Sequence, residues 1–250
     1  MAKISVQLYS CKDVIKGDFI GTLKKIAAIG YQGVEFAGYG DIPADIMKKA
    51  LDKFGLCASG AHIDLDELKN NLDYHIEYNK TIGNKYLICP FGYTDNVAQV
   101  NSLKKDMADI CKKASEQGMI VGYHNHTQEF NCFNGEFAFD TILSGDDRLV
   151  YELDCFWSEY ANVDTNGYLR KIGKRCPLVH LKDMYIKADG TKECAIFGDG
   201  ILDYKTFITT ANEACNPEWY VVEWEAFDMD CIQAVKASYE NYAKLVLNEK

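Results

Sequence analysis

KISVQLYSCKDVIKGD, residues 3–18, is the stretch on which the fold turns. Its first eight residues, KISVQLYS, alternate apolar and polar side chains and read as a strand. A strand that opens a doubly wound nucleotide-binding sheet runs into a glycine-rich turn whose backbone cradles phosphate. This strand runs instead into YSCKDVIKGD, which has no such turn. The open sheet loses its main support, and a closed barrel becomes the competing architecture.

The rest of the chain repeats the same cadence. Further strands are predicted at GVEFAG (33–38), CASGAHI (57–63), KYLICP (85–90), IVGYHNH (120–126), VYELDCF (150–156), PLVHLKD (177–183) and WYVVEWEAF (219–227). Amphipathic helices are predicted between them, over 17–30, 42–55, 65–83, 97–118, 137–144, 163–175, 203–215 and 230–248. The first carries a stripe of Phe19, Ile20, Leu23, Ile26 and Ala27 and stops at Gly30; the second has Pro43 near its start and Gly55 at its end. Eight β-α units in 250 residues predict an α/β protein, a (β/α)8 TIM barrel, as one domain over 1–250.

Composition narrows the function classes. Apolar residues make up 48% and charged residues 26%, the balance of a globular core with a solvated surface. The net charge of −10 repels a phosphate backbone, so no nucleic-acid partner is expected. The ten cysteines are scattered with no C-x-x-C pair, which removes a zinc ribbon. MAKISVQLYS carries no secretory signal and no run reaches span length, so neither export nor a membrane is expected. A cytoplasmic protein with free, packed thiols follows as the expectation.

In such a barrel the site lies at the carboxyl ends of the strands. Four of the five histidines fall there: His62, His124, His126 and His180. His75 falls in a helix and is expected on its surface. Strand residues two apart share a face, which groups His124 with His126, Glu152 with Asp154, His180 with Lys182, and Glu223 with Glu225. Glu35 ends the second strand. Unpaired, these groups are costly to bury, and a divalent metal satisfies them together. Glu152 stands early in its strand and is expected below the mouth, so Asp154 is preferred to it. Glu225 is expected on the rim. Trp157 follows Asp154 closely and is expected to wall the substrate pocket, with Glu35 and His62 at its edge. FGDGILDY (197–204) reads as a tight turn into the helix beginning near Asp203.

Taken in order, GYQGVEF, SGAHIDLDEL, NKYLICP, GYHNHTQEF, ELDCFW, VHLKDM, FGDGILDY and YVVEWEAF resemble the xylose isomerase-like barrels, the sugar phosphate isomerases/epimerases. The resemblance covers nearly the whole chain. It implies one divalent metal ion, Mn²⁺, Mg²⁺, Co²⁺ or Zn²⁺, held by a carboxylate from strand five, an aspartate from strand six, a histidine from strand seven and a glutamate from strand eight. Asp154, His180 and Glu223 match the last three. Strand five ends on His124 where the epimerases carry a glutamate. Either Glu129 reaches back with its carboxylate, the preferred assignment, or a histidine binds the metal itself.

The chemistry implied is proton transfer beside a carbonyl through an enediolate, on a small carbohydrate. Glu223, His124 and His126 are the candidate acids and bases, and Lys182 a substrate or charge-stabilising cation. The same enediolate can expel a leaving group, so a lyase, dehydratase or hydrolase on a keto-sugar, keto-inositol or 3-keto-glycoside is the second reading. Abasic-site endonucleases share the barrel but need more histidines and a basic face than this chain has. A metal-binding barrel without catalysis is the fourth class. Barrels of this type often pair through their loops, and a homo-oligomer is compatible with that.

Overall fold

Parallel strands of the computed structural model, which describes residues 2–247, close into one eight-stranded barrel. They are β1 (Lys3–Gln7), β2 (Gly33–Ala37), β3 (Cys57–His62), β4 (Tyr86–Cys89), β5 (Ile120–His124), β6 (Val150–Asp154), β7 (Leu178–Leu181) and β8 (Trp219–Val222). Each pairs with the next in the chain, and β1 closes on β8 with Lys3 opposite Trp219 and Val6 opposite Val222. The crossovers carry α1 (Phe19–Ile29), α2 (Ala44–Phe54), α3 (Leu72–Ile82), α4 (Val97–Glu116), α5 (Ala138–Leu143), α6 (Thr165–Ile172), α7 (Tyr204–Ala214) and α8 (Cys231–Tyr242). This is the single-domain (β/α)8 barrel that the cadence predicts. Met1 and residues 248–250 of the expected domain, with the expected helix end at Asn248, lie outside the described residues.

Local chemistry sets the element ends. Asp18, Asn96, Asp164, Asp203 and Asp230 each accept a backbone N–H of the first turn and so cap α1, α4, α6, α7 and α8. Gly30 and Gly55 end α1 and α2 with φ of +119° and +71°, where a Cβ would be strained. Leu23 and Ile26 of α1 have 0% exposure between helix and sheet, and each such burial contributes about 2 kcal/mol. Inside the barrel a smaller apolar plug of Tyr86, Ile88, Leu178, Trp219 and Val221 fills the lower end. The polar residues stand above it.

Several elements differ from expectation. The helix predicted over 65–83 is two, Leu65–Asn70 and α3, because Asn71 leaves helical geometry at φ −128°, ψ 26° and its side chain bonds Glu67 instead. Strands end earlier than predicted. β6 stops at Asp154 because a short helix, Cys155–Tyr160, begins at once. Lys182 follows β7 and Glu223 follows β8, so both stand just past the strand ends. Two antiparallel hairpins were not predicted: Cys132–Phe133 with Glu136–Phe137 after β5, and Asp183–Ile186 with Lys192–Ala195 after β7.

Candidate active site

Strand register sets the polar residues at two successive levels. Gln7 stands beside Glu35, Glu35 beside Gly60, His124 beside Glu152, and Asp154 beside His180. A Cβ on Gly60 would overlap Glu35 Oε1, so the bare backbone of β3 is what makes room for that carboxylate. Glu35, Glu152, Asp154 and His180 have 0% exposure, and His124, Lys182 and Glu223 are buried with them.

The contacts form two connected halves. In the deeper half Glu35 Oε2 accepts from Gln7 Nε2 at 2.9 Å, and lies 2.7 Å from His180 Nε2 and 3.3 Å from His62 Nε2. His62 Nε2 lies 2.6 Å from Glu152 Oε2, which is also 3.1 Å from His124 Nδ1, a contact without hydrogen-bond alignment. In the outer half His180 Nδ1 lies 3.4 Å from Glu223 Oε2. Lys182 Nζ pairs with Glu225 and lies 3.6 Å from Glu223 and 4.0 Å from Asp154. Asp154 does two things. Its Oδ1 accepts from Phe156 N at 2.7 Å and Trp157 N at 3.2 Å, capping the short helix, while its Oδ2 has no hydrogen-bond partner.

Burial and mutual charge then separate these groups. Burial pushes Asp154 up to about 6, against the pull of Lys182 and His180. It pushes Glu152 up to about 7, helped by the Glu35 carboxylate. Burial works the same way on Glu35 and Glu223, but cations outweigh it. His62 and His180 hold Glu35 well below the carboxylate range, and Lys182 and His180 bring Glu223 down to about 2. Burial disfavours a charged His62, yet Glu35 and Glu152 raise it to about 10. His126 has no such carboxylate pair; burial and then Lys182 lower it to about 4, so its ring is neutral at pH 7.

The donor set fits a divalent metal. Glu35 Oε1, His124 Nδ1, Glu152 Oε1 and Asp154 Oδ2 are buried without a hydrogen-bond partner, an arrangement that costs about 1–3 kcal/mol for each group left so. Two overlapping groups present four ligand atoms within 4.8 Å of one another: His62, His124, Glu152 and His180, and His124, Asp154, His180 and Glu223. Three imidazoles with one carboxylate in the first, or two with two in the second, suit Zn²⁺, Co²⁺ or Mn²⁺ better than Mg²⁺, which favours an all-oxygen shell.

Most of the predicted site residues meet here. His124, Asp154, His180 and Glu223 form one of the groups; Glu35 and His62 belong to the deeper half. The Trp157 ring lies 5.3 Å from that of His126 and 4.8 Å from Lys182 Nζ, beside the cluster but off the lining of the cleft that His124, His126 and Glu223 share. Glu129 is a correction. Its carboxylate accepts from Tyr123 Oη at 2.9 Å and His126 N at 2.8 Å and belongs to neither group, because the turn Gln128–Phe130 folds it back under its own loop. His124 is the strand-five residue present in both groups. Glu152 is a second correction, since it stands inside the cluster, not beneath it; its shared face with Asp154 was the available signal. His75 is a third: it is 6% exposed, between Tyr39 Oη at 3.3 Å and Glu67 at 3.2 Å. Gln7 was missed, and only the register with Glu35 reveals it.

Fold and cluster together define a (β/α)8 barrel with a candidate metal centre at the carboxyl end of its strands. Residues 23–245 match the family model for the xylose isomerase-like TIM barrel, and the chain belongs to that family. Its structure is similar to a sugar phosphate isomerase/epimerase from Parabacteroides distasonis, at TM-score 0.82 and 20% identity over 100% of this chain and 96% of that one. It is similar to the IolI protein with a bound zinc atom, at TM-score 0.78 and 14% identity over 99% of each chain. It is similar too to a D-allulose 3-epimerase from Methylomonas sp., at TM-score 0.74 and 11% identity over 98% of each. No match is found among curated protein sequences. Among the described residues no helix is long and apolar enough to cross a membrane.

Proposed function

We propose that the protein is a divalent-metal-dependent isomerase or epimerase of a small carbohydrate, acting through an enediolate. The observation that carries this is the group His124, Asp154, His180 and Glu223, with Asp154 Oδ2 left unpartnered in it. These four would hold the ion. A metal there supplies Lewis acidity toward the oxygens of a hydroxy-carbonyl unit. The neighbouring names, an isomerase/epimerase, a zinc-bound protein and an epimerase, accord with it.

The chain's own residues do the rest. His126 lines the cleft with an unpartnered Nδ1 and a neutral ring, so it is placed to take a proton from carbon and return it. Burial disfavours a charged Lys182, but Glu223, Asp154 and Glu225 keep it charged, and, 3.6 Å from Glu223, it would steady negative charge developing at the cluster. Trp157 packs beside His126, its ring centroid 5.3 Å away, and would hold that imidazole in place.

One feature favours a second reading, a lyase or dehydratase on a keto-sugar, keto-inositol or 3-keto-glycoside. The fifth strand ends in imidazoles, His124 and His126, where a carboxylate would serve a two-base epimerase, and a buried ammonium stands near them. A single base with a nearby cation suits expulsion of a leaving group as well as return of the proton.

Two measurements test the proposal. Elemental analysis without chelator is expected to give near one metal per chain, lost in Asp154→Ala. A panel of ketoses and 3-keto-glycosides with Mn²⁺ in D₂O is expected to show exchange at carbon. Exchange without elimination supports the isomerase reading, and release of water or an aglycone the lyase reading. Absence of metal in the parent chain, even after Mn²⁺ is added, overturns both.

A further inference from the structure

The cleft above the cluster encloses about 590 Å³, a small-molecule volume with room beyond one hexose ring. His124, His126 and Glu223 line its inner end. The opposite end is built from Tyr39, Glu67 and His75, and the aromatic rings of Tyr9 and Phe91 stand along it. That outer half takes no part in the chemistry proposed above.

Its walls have a definite character. Among the described residues no lysine or arginine lines the cleft, whereas Asp64, Glu67, Glu223 and Glu225 do. Cations adjoining the cleft are already engaged, Lys182 with Glu225 first among them. Lys187 pairs with Glu193, Lys192 donates to the carbonyls of Glu159 and Tyr160, and Lys12 lies over the Phe227 ring at 3.7 Å. The inner end has Lys182 and His62 beside its carboxylates, but a phosphate dianion in the outer half would meet Asp64 and Glu67 with no lysine or arginine among the described lining residues to offset them. Sugar hydroxyls, in contrast, donate well to carboxylates. The C–H face of a pyranose also buries apolar surface against an aromatic ring. Tyr9 and Phe91 are 40% and 45% exposed, apolar area that a ligand would cover.

The far wall is rigid. Asn79 Nδ2 donates to Tyr39 Oη at 2.7 Å, Tyr39 Oη lies 3.3 Å from His75 Nδ1, and His75 Nε2 lies 3.2 Å from Glu67. With Tyr39 donating to Nδ1 and Nε2–H donating to Glu67, every member is satisfied in one arrangement. A fixed polar wall in a cleft that two exposed rings also line is preorganised for a ligand.

We propose that this outer half is a second sugar subsite, and that the substrate is an uncharged glycoside of disaccharide size, not a sugar phosphate. The proposal rests on the reading of the cluster as the reacting end of the cleft.

Isothermal titration calorimetry on the metal-loaded full chain tests it through binding alone. The probes are maltose, cellobiose, lactose, sucrose and trehalose, against glucose, galactose and fructose and against glucose 6-phosphate and fructose 6-phosphate. At least one neutral disaccharide is expected to bind about ten-fold more tightly than either of its monosaccharides. Neither phosphate is expected to gain over its free sugar. Phe91→Ala and Tyr9→Ala, both at exposed positions, are expected to bring the disaccharide-to-monosaccharide affinity ratio toward one. Equal affinity of every disaccharide and its monosaccharides overturns the proposal, as does a phosphate that binds about ten-fold more tightly than its sugar. Carbon-bound proton exchange is read separately. A disaccharide preference without exchange in any sugar removes the enediolate reading and leaves the subsite standing.

Discussion

At the scale of single residues, His126 and Glu129 show how three positions separate two different jobs. His126 lines the cleft, and its Nδ1 is buried without a hydrogen-bond partner. His126→Gln is expected to slow proton exchange by about 10²–10⁴-fold while metal content stays at the parent level; an unchanged rate removes it as the base. Glu129 is structural, and burial pushes its carboxyl from 4.5 up to about 7. The folded chain therefore keeps a proton that the unfolded chain has lost between those values. Its stabilising contribution is complete below pH 4.5 and falls away as pH rises through 7, by at most about 3 kcal/mol. Urea unfolding at pH 5 and pH 8 should show Glu129→Gln losing less stability over this interval than the parent, and parallel losses would refute the assignment. Asp154, His180 and Glu223 were legible because alternation along a strand fixes the face of a side chain. Glu129 was not, because a loop has no period, and its direction is set by two hydrogen bonds, from Tyr123 and from the His126 amide.

At the scale of elements, the loop after β7 is organised around one carboxylate. Asp183 accepts from Met184 N at 2.7 Å, Gly198 N at 2.9 Å, Gly200 N at 3.1 Å and Leu202 N at 3.2 Å. It thereby ties the unpredicted hairpin to the turn FGDG, beyond which Asp203 caps α7 as the spacing predicted. Asp183→Ala strands these donors and is expected to cost about 3 kcal/mol, with faster amide exchange at residues 198–202; unchanged exchange would mean the turn holds itself. β3 supplies a second test. Gly60→Ala forces a methyl group against Glu35 and is expected to cost about 1–3 kcal/mol, measured as a fall in thermal midpoint. A wild-type midpoint would show that Glu35 moves aside freely. The main helices were legible through their apolar stripes and aspartate caps. The break at Asn71 and the early strand ends were not, because both depend on partners distant from the pattern that announced the element.

At the scale of the molecule, the barrel was legible as a count of eight, since a strand-helix cadence kept up along a chain of this length has few other ways to bury both faces of its sheet. What the count could not show is how the register sets His124 beside Glu152 at one level and Asp154 beside His180 at the next. The thiols test the packing globally. Of ten free cysteines, Cys57 and Cys132 are exposed and the rest buried, so a thiol reagent should modify two rapidly and the others only on unfolding. More than two fast thiols would indicate a looser shell. One detail of the site also turns the chain into its own indicator. Asp154 caps with one oxygen the helix that carries Trp157 and offers the other to the cluster. An ion drawn to that second oxygen pulls on the first turn of the helix, next to an indole set against His126 and the Lys182 ammonium. Of the three tryptophans, Trp219 sits in the plug at the barrel's far end. Trp224 is buried next to Glu223, so in a Trp224→Phe chain the emission of Trp157 should report filling of the centre in real time, without any added label.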